Sequence, residues 1–372
     1  MTEPQTIPAD TAPTDRLVSR NGRALDPKVG FDLGWDIASY GLRLPVLPND
    51  ALLSGYEEAS TRRAAKPLAH DRFVRKWLQL RVNAWLRHRV VDEEVTPAFL
   101  QKIDVAVCPI TRLALTAGTG EDSDWSVDRI NNEGAYAVGN LAVMSSLANK
   151  AKGRKSFAQV FAHAAADGDD AEGLTRIQWM RMAAAMVVPS HLVDARMPLI
   201  PYPLRPLPEV PLSFDQSLQW VLVNECYGGK KTIVGRLKDA CNTPARQRKF
   251  HQLIQKVRRK AEKLGQNFVD VWNSPELWAV FEEFMRTMDP KEFDRFTALM
   301  SPGKSPKGEE LLASWRLENR GYMPGYCPPD NAAVEQGVSE EVDAAADDEV
   351  SQALEAMAEL PDVEDDIVEF RD

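Results

Sequence analysis

Residues 125–153 read WSVDRINNEGAYAVGNLAVMSSLANKAKG, and their texture differs from everything around them. Trp125 to Ile130 predict a strand whose end presents Asp128, Asn131 to Gly139 a polar loop, and Leu141 to Met144 a returning strand. Ser145 then opens a short helix bearing Asn149, Lys150 and Lys152. Such a helix packs over the hairpin and brings a strand carboxylate and a helix amide together. Both supply oxygen donors of the kind a hard divalent cation accepts. Asp128 pairing with Arg129 or capping a turn, and Asn149 capping the helix locally, are the competing local uses. Lys150, Lys152, Arg154 and Lys155 follow at once and would attract a phosphate to the same place.

Around this island the chain reads as helical. A helix from Asp71 to Val90 places Val74, Trp77, Leu78, Val82, Trp85 and Leu86 on one stripe, with a basic opposite face of nine Lys or Arg between Thr61 and Arg89 against Asp71 alone. Thr96-Pro97 predicts a short helix, Leu147 to Ala166 and Thr175 to Val188 two more, and residues 167–172 an acidic loop. Six prolines between Pro198 and Pro211 predict an extended polyproline connector, with a ligand for an SH3-like domain as the sharper alternative. Beyond it, Ser213, Thr243-Pro244, Ser274-Pro275 and Asp289-Pro290 each supply a polar cap, three of them followed by proline at the first helical position, and Glu292 is spaced to complete a capping box with Asp289.

The expected fold is mainly α, with helical domains around an embedded small ββα core. The expected division is a disordered N-terminus over 1–30, a helical domain over 31–190 containing the core at 108–153, a proline-rich linker over 191–212, a basic α-helical domain over 213–330, and an acidic disordered tail over 331–372.

The chain of 372 residues has 45 Lys and Arg against 55 Asp and Glu, a formal net charge of −10. From Asn331 onward there are fifteen acids and one base, so residues 1–330 carry +4. The segment Gly228 to Lys263 alone holds twelve bases, among them Lys230, Lys231, Arg246, Arg248, Lys249, Arg258, Arg259 and Lys260, against two acids. Clustered Lys and Arg are what phosphate neutralisation requires, so both basic faces are expected to contact nucleic acid. The acidic tail would serve solubility, compete with nucleic acid for those faces, or dock a protein partner through Leu354, Met357 and Leu360. No apolar run approaches the ~18 residues of a spanning helix, and the N-terminus lacks the features of a signal peptide, so a cytoplasmic protein without a membrane partner is expected. Cys108, Cys226, Cys241 and Cys327 form no C-x-x-C pair, and no zinc is expected.

The order Ser126-Val-Asp128-Arg129-Ile-Asn-Asn, then Tyr136, then Gly-Asn140-Leu, then Asn149-Lys resembles the ββα-metal core of HNH (His-Me finger) endonucleases, most closely the phage-type branch reading S-L-D-R-I-D-N. Cys108-Pro-Ile-Thr-Arg-Leu resembles that family's lead-in, and the likeness covers 108–153 only. It implies Asp128 and Asn149 as ligands of one Mg²⁺ or Mn²⁺, Asn140 as the residue holding the inter-strand loop, and hydrolysis of phosphodiester bonds, in DNA rather than RNA. Asp128, Arg129 and Asn149 would form the catalytic set. Arg129 stands where the active family pattern has histidine, the general base. Arginine stays protonated and cannot take a proton from water, so its expected role is to bind phosphate or stabilise charge. His163, on the following helix, would be a replacement base, although a lone helical histidine is more often simply packed or exposed. The alternatives to a metal-dependent nuclease are a non-catalytic DNA- or RNA-binding protein with a degenerate HNH core, and an interaction protein working through its acidic tail and proline connector.

Overall fold

A polar cap followed by proline starts helix after helix in this chain, because proline presets the first helical φ where no N–H is needed. A computed structural model describes residues 24–44, 49–62, 66–166, 173–193, 198–228, 232–300 and 313–326. Among these, the helices are α1 (Pro27–Ser39), α2 (Asp50–Arg62), α3 (Arg72–Leu86), α4 (Pro97–Lys102), α5 (Ser146–Lys152), α6 (Phe157–Ala165), α7 (Arg176–Val193), α8 (Phe214–Gly228), α9 (Thr232–Ala240), α10 (Pro244–Leu264), α11 (Pro275–Arg286) and α12 (Pro290–Met300). A single two-stranded antiparallel sheet pairs β1 (Trp125–Arg129) with β2 (Leu141–Ser145). The described protein is therefore mainly helical with one small hairpin. The acidic loop at 167–172, Lys230 and Lys231, and the acidic tail at 331–372 lie outside the described residues.

The chain divides into two compact units, one ending at Arg89 and one spanning Val90–Tyr326. In the first, Asp26 caps α1 by accepting from Lys28 and Val29 backbone N–H at 2.9 and 3.3 Å. This corrects the expectation of disorder up to residue 30: residues 24–30 are ordered, and Leu25 is buried. The backbones of α1 and α2 meet at two glycines. A Cβ on Gly34 would lie 1.9 Å from the Leu52 carbonyl oxygen, and one on Gly55 2.0 Å from that of Phe31. On α3, Asp71 caps as expected, with 2.9 Å bonds from Phe73 and Val74 N–H. Leu78, Val82 and Trp85 are buried while Arg81 pairs with Asp36 and lies over the Trp77 ring at 4.3 Å.

The second unit holds two hydrophobic clusters. One joins Cys108, Ile110, Ile130, Ala142, Met144, Ala148, Val160 and Trp179 with Ile200, Tyr202, Leu204, Leu207 and Val210. The stretch expected as an extended polyproline connector is thus also part of a core over its described residues 198–211. Its apolar residues alternate with the prolines, and burying them outweighs the stiffness of the chain. Proline cannot donate, so the remaining backbone polar groups need outside partners. Gln219 supplies them, accepting from Tyr202 N–H at 2.8 Å and donating to the Ile200 carbonyl at 3.0 Å. The helix expected from Leu147 to Ala166 is broken into α5 and α6, because Gly153 takes φ +47° and Ser156 starts a new capping box with Gln159.

The other cluster is built by α8 to α12, around Leu222, Leu237, Phe250, Leu253, Val257, Trp272, Phe281 and Phe296. Thr243 caps α10 through the Arg246 N–H at 3.1 Å, and Gly265 ends it at φ +54°. Asp289 caps α12 through the Glu292 N–H at 3.0 Å, but the Glu292 side chain does not close the box. It is buried against Arg246 instead.

Candidate nucleic-acid interface and the ββα unit

β1, β2 and α5 follow one another with the register Trp125 opposite Ser145 and Arg129 opposite Leu141. Strand alternation sends Ser126 and Asp128 to one face of β1, and α5 lies where Asn149 meets that face. The Asn149 amide donates to Ser126 Oγ at 2.8 Å. One turn further on, Lys152 has no solvent exposure, and its ammonium lies 2.8 Å from Asp128 Oδ2 and 2.7 Å from Asn132 Oδ1. Oδ2 has no hydrogen-bond partner of good angular geometry, so the Asp128 contact is one of charge. The structure therefore brings Asp128, Asn149 and Lys152 to one face, together with Ser126 and Asn132. Strand spacing points to Ser126 two residues before Asp128, and helix spacing points to Lys152 three after Asn149.

The loop between the strands is held from several sides. Buried Asn140 accepts from Asn131 N–H at 2.8 Å and donates to the carbonyls of Asn131 and Ala135 at 3.1 and 2.9 Å. Arg129 turns into the same loop: its Nη1 donates to the Asn132 and Gly134 carbonyls, both at 2.9 Å, and its guanidinium lies over the Tyr136 ring at 4.8 Å. Those contacts engage it as a loop clamp rather than a free phosphate ligand. A segment from the far end of the unit closes over the loop. Trp315 is fully buried and donates from its indole to the Val138 carbonyl at 2.8 Å, its own carbonyl accepts from Ala135 N–H at 2.8 Å, and Arg320 pairs with Glu133. Gly321 crosses so near that a Cβ there would be 2.4 Å from Ala135 N. Nothing local in the sequence announces this strap.

Cys108 ties the lead-in to the end of β2. Its sulfur accepts from Thr111 and Ser145 N–H at 3.4 and 3.2 Å, and Thr111 Oγ1 lies 3.2 Å from Ser145 Oγ. Burial pushes this thiol up, but the bonds from Ser145 and Thr111 outweigh it and hold it below its ordinary range. Asp270, in the 3₁₀ turn Gly265–Asn273, receives Arg112 at 2.7 and 2.8 Å and Arg181 at 3.2 Å. This carboxylate links the hairpin's lead-in and α7 to the C-terminal helices.

The oxygens at the expected divalent-cation position are met by the chain's own charge. The niche formed by the Asp128 and Asn132 oxygens already holds an ammonium, and among the described residues no three His, Cys, Asp or Glu side chains converge on one point. His163 stacks on buried Trp179 with ring centroids 4.6 Å apart. Of the remaining lysines and arginines expected at phosphate, Lys150 and Arg154 are exposed, whereas Lys155 donates to the Ala151 carbonyl at 3.0 Å.

Helix α10 presents its charge differently. Phe250, Leu253, Val257 and Ala261 are buried, while Arg248, Lys249, Lys256, Arg258, Arg259, Lys260 and Lys263 are exposed. At 1.5 Å per residue the span from Arg248 to Lys263 is about 22 Å. Arg258 pairs with Glu262 at 3.0 Å, and Lys249 lies 3.9 Å from Glu283. Arg246 is the exception: it is buried, its Nε lies 3.0 and 3.1 Å from the Glu292 oxygens, and Nη2 donates to the Phe284 carbonyl at 2.6 Å. It is thus unavailable to a phosphate, contrary to the expectation. No helix among the described residues is long and apolar enough to cross a membrane. Comparison of the chain with known protein families, with curated proteins and with solved structures returns no match.

Proposed function

We propose that this protein binds nucleic acid through the phosphate backbone, with the outer face of α10 as the principal contact. The observation that carries the reading is the cationic stripe on α10, exposed along its length over an apolar inner face. Phosphate neutralisation needs only such a row of cations and is independent of base sequence. Lys150 and Arg154, exposed beside the ββα unit, would add a second, smaller contact. In this reading the HNH-like core is a scaffold. Its arginine and its buried lysine hold the fold, and the family's histidine is replaced.

A second reading, phosphodiester hydrolysis, draws support from Asn149 bonding to Ser126, which shares a face of β1 with Asp128. It would require the Lys152 ammonium to leave Asp128. Purified protein titrated into labelled duplex and single-stranded DNA and RNA, followed by anisotropy, tests the first reading, and binding that weakens steeply with salt is the expected result. Incubation of plasmid with the protein and Mg²⁺ or Mn²⁺ tests the second. Cleavage lost in both Asp128→Ala and Asn149→Ala would replace the scaffold reading with the nuclease. Salt-insensitive binding would remove the first reading, and neither binding nor cleavage would remove both and leave the interaction protein.

A further inference from the structure

We infer that the ββα unit carries its own cation: the Lys152 ammonium occupies the niche where a divalent metal would otherwise bind at Asp128, and removing that ammonium opens a metal site. The side chain of Lys152 is 0% exposed, so its charge must be matched where it lies. The matching groups are hard oxygens, Asp128 Oδ2 at 2.8 Å and Asn132 Oδ1 at 2.7 Å. The orientation of Asn132 is dictated from outside the pair. Its amide nitrogen donates to the carbonyls of Gly153 and Lys155, both at 3.1 Å, which leaves Oδ1 facing the ammonium. Lys152 is also the last residue of α5, where the carbonyl end of the helix favours a positive charge.

A divalent ion on Asp128 would therefore sit beside a buried like charge in a medium that screens it poorly. With Lys152 truncated, the same niche keeps the Asp128 carboxylate and the Asn132 amide oxygen, hard oxygens suited to Mg²⁺ or Mn²⁺ with waters completing the shell. The inference rests on the geometry of 126–153 and not on nucleic-acid binding, so the two fail separately.

The test uses Mn²⁺ as the probe and the full chain. Paramagnetic broadening of backbone amide signals is followed by NMR during Mn²⁺ titration of wild type, Lys152→Met and Lys152→Met/Asp128→Asn. The expected result is no localised broadening around residues 126–132 and 149–153 in wild type. Lys152→Met should gain it, with binding at least about tenfold tighter than any seen in wild type, and Asp128→Asn should abolish the gain. Localised broadening in the wild-type chain would overturn the inference without reference to any variant. So would a folded Lys152→Met that gains nothing. If Lys152→Met does not fold, Lys152→Gln, which can still donate to Asn132, takes its place under the same two outcomes.

Discussion

Helix α10 and the ββα unit are both dense in lysine and arginine, and they spend that charge in opposite directions. On α10 the cations stand on the solvent side of an amphipathic helix, and one, Arg246, is drawn inward. In the ββα unit the proportions reverse: Arg129 clamps a loop, Lys152 is sealed against Asp128, Lys155 caps a carbonyl, and Lys150 and Arg154 stay outside. The difference lies in element length. A 21-residue helix has a whole face free for charge. A five-residue hairpin strand and a seven-residue helix have too little apolar surface to hold a long loop, so polar side chains must hold it.

The contrast can be broken most strongly at Arg246. Replacing it by alanine leaves Glu292 buried without its partner, and urea denaturation should show a loss of about 3–5 kcal/mol. A loss confined to nucleic-acid affinity would instead place Arg246 on the outer face. Asn140→Ala strips partners from the Asn131 N–H and from two loop carbonyls, of which the Ala135 contact alone is buried, at about 1–3 kcal/mol for that group. Its stability should fall in the same assay, and an unchanged midpoint would mean the loop is held without it.

A smaller effect is expected from pH at Cys241. Burial and the neighbouring Glu292 push its thiol up to about 12 from an ordinary value near 9. The folded state therefore keeps a proton that the unfolded chain loses first. Its stability contribution is intact below pH 9 and declines as pH rises toward 12. Thermal melts of wild type should lose more stability over that window than those of Cys241→Val, and parallel curves would contradict the assignment. The smallest change is expected on the exposed stripe. Arg248→Gln, Lys249→Gln, Arg259→Gln and Lys260→Gln should each shift stability by no more than about 0.5 kcal/mol.

Much of the helical scaffold is legible from caps alone, as at Thr243-Pro244 and Asp71. The Asp26-Pro27 start carries the same pattern as Asp289-Pro290, yet the low-complexity composition around it outweighs the signal when the two are read together. The proline-rich stretch misleads in a similar way. Six prolines suggest a spacer, but Ile200, Tyr202, Leu204, Leu207 and Val210 between them form a buried set. In the ββα unit the elements can be read directly and Asn140 through the family resemblance, and the fate of the charges cannot, because it depends on tertiary contact. Lys152 is half an exception: sharing a helix face with Asn149, it had to point at β1 if Asn149 did. The Trp315 strap joins residues 177 positions apart, and no local pattern reports that.

On the proposed reading, α10 faces nucleic acid while the cations of the ββα unit serve the fold. Duplex DNA affinity measured across a salt series, for wild type and for the variant combining the four α10 glutamine substitutions, tests it most directly. The logarithmic salt slope should fall by about 3 to 4 in magnitude for the four charges removed, with the melting temperature nearly unchanged. An unaltered slope in the folded variant would contradict the claim.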